Sequence, residues 1–236
     1  MRPFPFPLRV LATFPLLLLA TTAFASPEET TRRLNCEHVD PREPAVEATL
    51  IRQLGGGVVR RTGPHVLLIQ AGGREVRIED KPPHDEPFAG VHHWFCDRRG
   101  GFVLLRTTDE TAFTGTLVNE ATGAVTPAGE DVVFSEDWRA YFAEVQPDGL
   151  DGLEWKIYGV KGDLSWTGYN LMLDPKHPDR SVATLDEPRW KSTGEFVAQA
   201  TCVTADEKKW AVTLRKTRGK WDWSPHADCP AERVAP

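Results

Sequence analysis

Past its first 25 residues, this 236-residue chain has no apolar run long enough to cross the ~30 Å of hydrocarbon in a bilayer, so no membrane-spanning helix is expected there. It also lacks a basic patch. Acidic and basic side chains are interspersed and the formal net charge is −6, which argues against nucleic acid or an anionic membrane surface as partner. No two of the four cysteines stand in a C-x₂-C or C-x₄-C pair, the spacing that a thiolate metal site would use. The G-x-S-x-G elbow, the H-E-x-x-H helix, the Walker loop and the dinucleotide fingerprint are all missing. The sequence therefore assigns no catalytic residue, no metal ligand and no cofactor.

The clearest positive signal is at the start. Arg2 and Arg9 give a basic opening, Val10 to Ala20 is almost wholly apolar, and Ala23-Phe24-Ala25 fits a small-x-small cleavage site. This is the pattern of a secretory signal peptide, with Ser26 as the expected mature N-terminus. The apolar run is short for a membrane anchor. A lipoprotein would need a cysteine directly after it, whereas the nearest, Cys36, lies beyond a charged stretch. Loss of Arg2 and Arg9 moves the formal charge of the mature chain from −6 to −8. No membrane insertion is expected after cleavage, and the localisation is read as periplasmic or secreted.

The remaining length suits one domain with a sizeable core. Three segments follow: a signal peptide over 1–25, a polar lead-in over 26–42, and a single disulfide-tied β domain over 43–236. Four cysteines in an exported chain point to disulfides. Three pairings are open. The preferred one joins Cys36 to Cys96 and Cys202 to Cys229, because Cys36 and Cys229 sit in polar termini that need docking. The rival joins Cys36 to Cys229 and Cys96 to Cys202, clasping the two ends.

One short helix is expected between Glu43 and Gly55. Pro44 suits its first position, Gly55 its stop, and Val46, Leu50 and Leu54 form one apolar stripe. Beyond Gly56 short runs of Val, Ile, Leu, Phe, Trp and Thr alternate with turn residues about every ten positions, the pattern of many short antiparallel strands. Gly72-Gly73, Gly100-Gly101, Thr122-Gly123, Lys161-Gly162 and Arg218-Gly219 supply the turns. The fold class is all-β, with a β-sandwich as one architecture for it.

A weak repeat lies over this pattern. Trp94 to Val103, Phe134 to Ala143 and Trp190 to Ala198 each run from an aromatic through a polar turn into an apolar strand. The leading aromatics are 40 and then 56 residues apart. A period near 40 with about four strands per unit is that of β-propeller blades. Val133-Phe134-Ser135-Glu136-Asp137-Trp138-Arg139-Ala140-Tyr141 resembles the phrase of WD40-like and TolB-like propeller repeats, in which Ser-x-Asp makes a turn between two strands. Thr122-Gly123 resembles their strand-turn element, and Val58 to Asp80 resembles the leading hairpins of small secreted bacterial proteins built this way. Trp138 stands where those repeats carry glycine. The resemblance spans about Val58 to Trp166 and implies antiparallel strands in about four propeller-like blades. Propellers serve as scaffolds, ligand binders and enzymes alike, so it fixes no function.

Four groups of residues bear on possible chemistry. His84, His92 and His93, with Asp85 and Asp97 nearby, form the densest histidine group. On a strand His92 and His93 point to opposite faces, so at most one can serve a given site. Asp148-Gly149-Leu150-Asp151-Gly152 carries oxygens for a hard cation, but it reads better as a hairpin turn. Eight tryptophans, Trp94, Trp138, Trp155, Trp166, Trp190, Trp210, Trp221 and Trp223, allow a carbohydrate platform. A small β domain also fills its core with such rings, which is the preferred reading. Abundant Asp and Glu offer no pair that the sequence alone singles out as an acid/base couple. The leading expectation is a non-catalytic exported β-scaffold that binds an envelope protein or a small ligand. The alternatives are a hydrolase acting on carbohydrate or peptidoglycan, and a periplasmic inhibitor or immunity protein.

Overall fold

A computed structural model of the chain describes residues 32–39, 43–84, 89–147, 153–174, 176–177, 180–192, 194–203, 208–226 and 229. The signal-peptide reading, the Ser26 terminus, Asp85 and the Asp148–Gly152 loop fall outside these residues. Among the described residues there are seventeen strands and one helix, so the fold is all-β with a single helix. No described helix is long and apolar enough to cross a membrane.

The helix α1 (Pro44–Leu54) starts on Pro44 and ends where the Gly55 N–H bonds to Ile51 O at 3.0 Å. The expected stripe is rotated. Leu50 is buried and Val46 half-buried, but Leu54 is exposed and the other buried position is Glu47. A carboxylate replaces an apolar residue on this face because the scaffold supplies a partner for each oxygen, as described below.

The strands form four antiparallel sheets, taken in chain order. The first holds β2 (Val59–Arg61), β3 (Val66–Ala71) and β4 (Arg74–Glu79). The second holds β5 (Val91–Arg99), β6 (Phe102–Asp109), β7 (Ala112–Asn119) and β8 (Val125–Ala128). The third holds β9 (Asp131–Phe134), β10 (Ala140–Val145), β11 (Glu154–Gly159) and β12 (Leu164–Tyr169), with β1 (Arg33–Asn35) added beside β9. The fourth holds β13 (Leu171–Leu173), β14 (Ser181–Trp190), β15 (Phe196–Cys202), β16 (Lys209–Thr217) and β17 (Lys220–Ser224). β3 and β4 pack against β5, β7 and β8 against β10, and β9 against β14. These contacts link the sheets in chain order.

The third sheet is the middle layer because its side chains alternate. Val132, Phe134, Tyr141, Ala143 and Tyr158 enter one core with the first two sheets, β1 and α1. Val133, Phe142, Trp155 and Ile157 enter a second core with the fourth sheet. A strand with a period of two, apolar on both faces, is what a layer buried on both sides requires.

Three strands were not legible in the sequence: β1, β13 and β14. β14 reads as a loop because Asp186, Glu187, Pro188 and Arg189 interrupt it. The structure absorbs them in a bulge between Asp186 and Arg189, where Glu187 takes φ +51° and Pro188 owes no ladder bond. Trp138 lies in the turn before β10. Its φ of +57° is the left-handed value that favours glycine. The indole offsets that strain by stacking on Phe102 (centroids 6.0 Å apart, planes 3° apart) and Phe134 (4.7 Å). The ring fits only because residue 100 is glycine: a Cβ there would overlap it.

Two disulfides close the fold, Cys36–Cys96 and Cys202–Cys229. The first lies in the core, with both cysteines buried. Around it Arg106 donates to Val39 O (2.7 Å) and pairs with Glu130 (2.8 Å), so the lead-in is docked by charge as well as by sulfur. The second links buried Cys202, at the end of β15, to Cys229 beyond β17.

Candidate functional site

Among the described residues, two polar clusters and one strand edge bear on chemistry or binding. The first cluster gathers where β4 leads into β5. Asp80 follows β4 and its side chain is only 6% exposed. Its Oδ1 accepts the backbone N–H of His93 at 2.9 Å. Its Oδ2 lies 3.5 Å from His65 Nδ1 and 3.8 Å from His92 Nδ1. His84 stacks on His65 with centroids 3.9 Å apart and meets His92 edge-on at 6.2 Å. His92 Nε2 is 3.0 Å from Ala89 O, an atom that can only accept, so Nε2 carries the proton and Nδ1 presents a lone pair toward Asp80 when the ring is neutral. The His93 ring points the other way, within 3.0 Å of Thr107 Oγ1. Burial holds His93 below the usual histidine pKa, the charges of Arg61, Lys81 and His92 add to this, and Asp80 opposes it.

The histidine group is therefore real but differently composed. His84 and His92 come together and the His93 ring does not join them. Asp97 is elsewhere, buried and accepting the Arg98 N–H at 2.7 Å. His65 and Asp80 complete the group, and sequence reading missed them because they enter from the far ends of the β3–β4 hairpin. The Asp80 N–H bond to His65 O, at 3.0 Å, joins those ends. Among the described residues, no three His, Cys, Asp or Glu side chains are arranged to hold a metal ion.

Behind this cluster lies Glu47. Its carboxylate takes two bonds from Arg61, both at 2.7 Å, and the Phe95 N–H at 2.7 Å. Arg61 in turn donates to His93 O at 2.6 Å. The helix, β2 and β5 are thus joined through one buried ion pair.

The second cluster lies between the third and fourth sheets. Glu144 on β10 stands opposite Asp131 on β9. Arg33 holds Asp131 with two bonds, at 2.8 and 2.5 Å, while Glu144 accepts the Trp155 indole N–H at 2.9 Å. Burial raises the Glu144 pKa above the ordinary glutamate value, opposed by the Trp155 bond and assisted by the charges of Asp131 and Asp186. Burial thus favours the neutral form of Glu144, and the neighbouring Asp131 is ion-paired with Arg33.

Most of the tryptophans pack. Trp155 and Trp223 are buried, Trp94, Trp138, Trp166, Trp190 and Trp210 are half-buried, and Trp221 is 38% exposed with Lys216 Nζ 5.7 Å from its ring centroid.

The strand edge is formed by Leu164 to Leu173, which carries no charge. It exposes Leu164 (55%), Tyr169 (56%) and Leu173 (48%). β12 is the outer strand of the third sheet and β13 of the fourth.

Comparison with family models, with curated proteins and with solved structures gave no match.

Proposed function

We propose that this protein is an exported, non-catalytic β-scaffold that binds a partner protein in the cell envelope. The observation that carries this reading is the state of the buried carboxylates. Glu47 and Asp80 each accept a backbone N–H and face the protein's own cations or imidazoles, so they act as ties in the scaffold and leave the surface to make contacts. Export is supported by the signal-peptide pattern and by two disulfides, bonds that persist in oxidising compartments. The likeness of the Phe134 to Tyr141 segment to WD40-like and TolB-like repeats is part of the same proposal. It is supported by four consecutive antiparallel meanders and by the turn in which the Ser135 hydroxyl bonds Asp137 at 2.8 Å.

The test is capture from an envelope extract by the mature protein, read beside a panel of glycan and peptidoglycan substrates. A saturable, stoichiometric partner with no turnover supports the proposal. Turnover of a glycan sinks it in favour of the second reading, a hydrolase, whose specific support is the Glu144 and Asp131 pair. In that case Glu144→Gln and Asp131→Asn should each abolish the turnover.

A further inference from the structure

Three donor atoms converge where the β3–β4 hairpin meets β5. Asp80 Oδ2 lies 3.5 Å from His65 Nδ1 and 3.8 Å from His92 Nδ1. Both separations exceed the ~2.7–3.2 Å of a good N–H···O bond, so neither imidazole holds this oxygen as a hydrogen-bond donor. The conflict is sharpest at His92. Its Nε2 proton is committed to Ala89 O at 3.0 Å, so the neutral ring turns a lone pair toward a carboxylate whose side chain is only 6% exposed. Two electron-rich atoms face each other there. A cation between them removes the conflict, and the width of the gap suits a metal ion better than a proton, which would draw nitrogen and oxygen into hydrogen-bond range.

A tetrahedral ion bound by nitrogen and oxygen at ~2.0–2.1 Å sets its ligands about 3.4 Å apart. The separations of 3.5 and 3.8 Å are slightly wider. As they stand the side chains therefore do not hold an ion outright. His65, whose side chain is 40% exposed, is the ring with room to close on one. The groups behind the donors are those a bound metal calls for. The His92 N–H is held by a backbone carbonyl, and the other Asp80 oxygen accepts the His93 N–H at 2.9 Å. Such contacts fix the orientation of metal ligands. Backbone bonds also fix the elements that carry them: Asp80 N–H bonds to His65 O at 3.0 Å, and Lys81 and Val91 exchange two bonds at 2.8 and 3.0 Å. His84, stacked on His65 with centroids 3.9 Å apart and 6.2 Å from the His92 ring, stands beside the remaining position.

We propose that His65, His92 and Asp80 bind one zinc ion, with His84 closing the fourth position. Imidazole nitrogens select zinc and its transition-metal neighbours over calcium and magnesium, which take oxygen ligands. Four protein ligands leave no open position for a reacting water, so the ion is structural and ties the β3–β4 hairpin to β5. This goes beyond the scaffold reading and does not rest on it.

The experiment strips the mature protein with a chelator and returns zinc alone. One zinc per chain should bind, and the unfolding temperature should rise with zinc concentration. Asp80→Asn keeps an oxygen for the His93 N–H but removes the charge, and His65→Gln and His92→Gln each remove one donor nitrogen. Each should weaken zinc binding by roughly a hundredfold, the upper end of what loss of a group behind a ligand costs. His226→Gln, which alters a histidine bonded to Asp222 beyond β17, should leave binding unchanged. Circular dichroism of each metal-free variant checks that it folds, and His65, the more exposed ring, is the one whose change least disturbs packing. Cobalt(II) in place of zinc should show the intense visible absorption of a four-coordinate ion. No zinc uptake by the wild type overturns the proposal. So does zinc that Asp80→Asn and His65→Gln both retain, the mark of adventitious binding to surface rings. A weak six-coordinate cobalt spectrum also overturns it.

Discussion

The two cores of this protein are held by different means. The first, shared by α1, β1 and the first three sheets, contains the buried charges: Glu47, Asp80 and Asp97 all lie on its side of the molecule. A disulfide passes through it. The second, between the third and fourth sheets, is filled by rings. Trp155 meets Phe142 edge-on at 5.4 Å and Trp223 at 6.1 Å, and Phe142 stacks on Phe196 at 5.0 Å. Its disulfide lies toward the C-terminus. A polar tie depends on having every partner present, whereas ring packing depends on volume. The same kind of substitution should therefore act differently in the two halves.

The largest effects come from removing the centre of each core. Glu47→Ala leaves half-buried Arg61 without its carboxylate and the buried Phe95 N–H without an acceptor, and should cost about 3 kcal/mol. Trp155→Ala should cost a similar amount, about 3–5 kcal/mol, through an unfilled cavity. The comparison is decided by the conservative changes. Glu47→Gln should recover little, because an amide cannot meet a guanidinium with two acceptors, while Trp155→Phe should recover most of the loss. Urea unfolding midpoints of the four variants measure this, and equal recovery in the two cores would break the distinction.

The disulfides come next. Restriction of the unfolded chain is worth about 4 kcal/mol for the 60-residue separation of Cys36 and Cys96, and about 3.5 kcal/mol for the 27-residue separation of Cys202 and Cys229. Alanine pairs at the two sites should follow that order in thermal unfolding. The first pair should fall further than chain entropy alone predicts, because both of its sulfurs are buried.

A smaller effect tests how the first core holds its own indole. Gly100→Ala should cost about 2–3 kcal/mol, from a side chain at φ +59° and from overlap with the Trp138 ring. In a Trp138→Gly background the overlap disappears and the same change should cost only about 1 kcal/mol. A double-mutant cycle reads the difference as the coupling between turn and ring.

The smallest effects are in pH dependence, and they have opposite sign in the two halves. Glu144 has a raised pKa in the folded state, so its contribution is complete below the ordinary glutamate value of 4.5 and is lost as pH rises through the folded value. Glu144→Gln should therefore gain on the wild type as pH rises. His93 has a lowered pKa, so its contribution is complete above 6.5 and is lost as pH falls through the folded value. His93→Gln should gain on the wild type as pH falls. Unfolding midpoints between pH 4 and 8 separate the two trends.

Residue pattern alone determined a good deal. Pro44 marks the helix start because it lacks an N–H that the first turn does not need; at the other end Gly55 is still right-handed (φ −63°), and Gly56, at φ +57°, is the residue that turns away. Most strands follow from alternation and turn residues, β9 from Asp131 to Phe134 without an error. The disulfide pairing found is the sequential one, in which each polar end is docked to a neighbouring strand. The helix and strands are local matters, and a window of a few residues contains their causes, whereas the pairing was one of three that the sequence left open. Tertiary structure decided the rest. Glu47 is buried because Arg61 and Phe95 meet it from other elements, and a strand from Ser181 to Trp190 forms because its partners β13 and β15 fix its register on both sides of a bulge. The histidine cluster needed His65 and Asp80, which the β3–β4 hairpin brings together. The outer positions of β12 and β13 likewise depend on which strands pair beside them in the third and fourth sheets. Side-chain type is written in the sequence; which neighbours satisfy it, and which backbone groups remain unpaired, depends on contacts between residues distant along the chain.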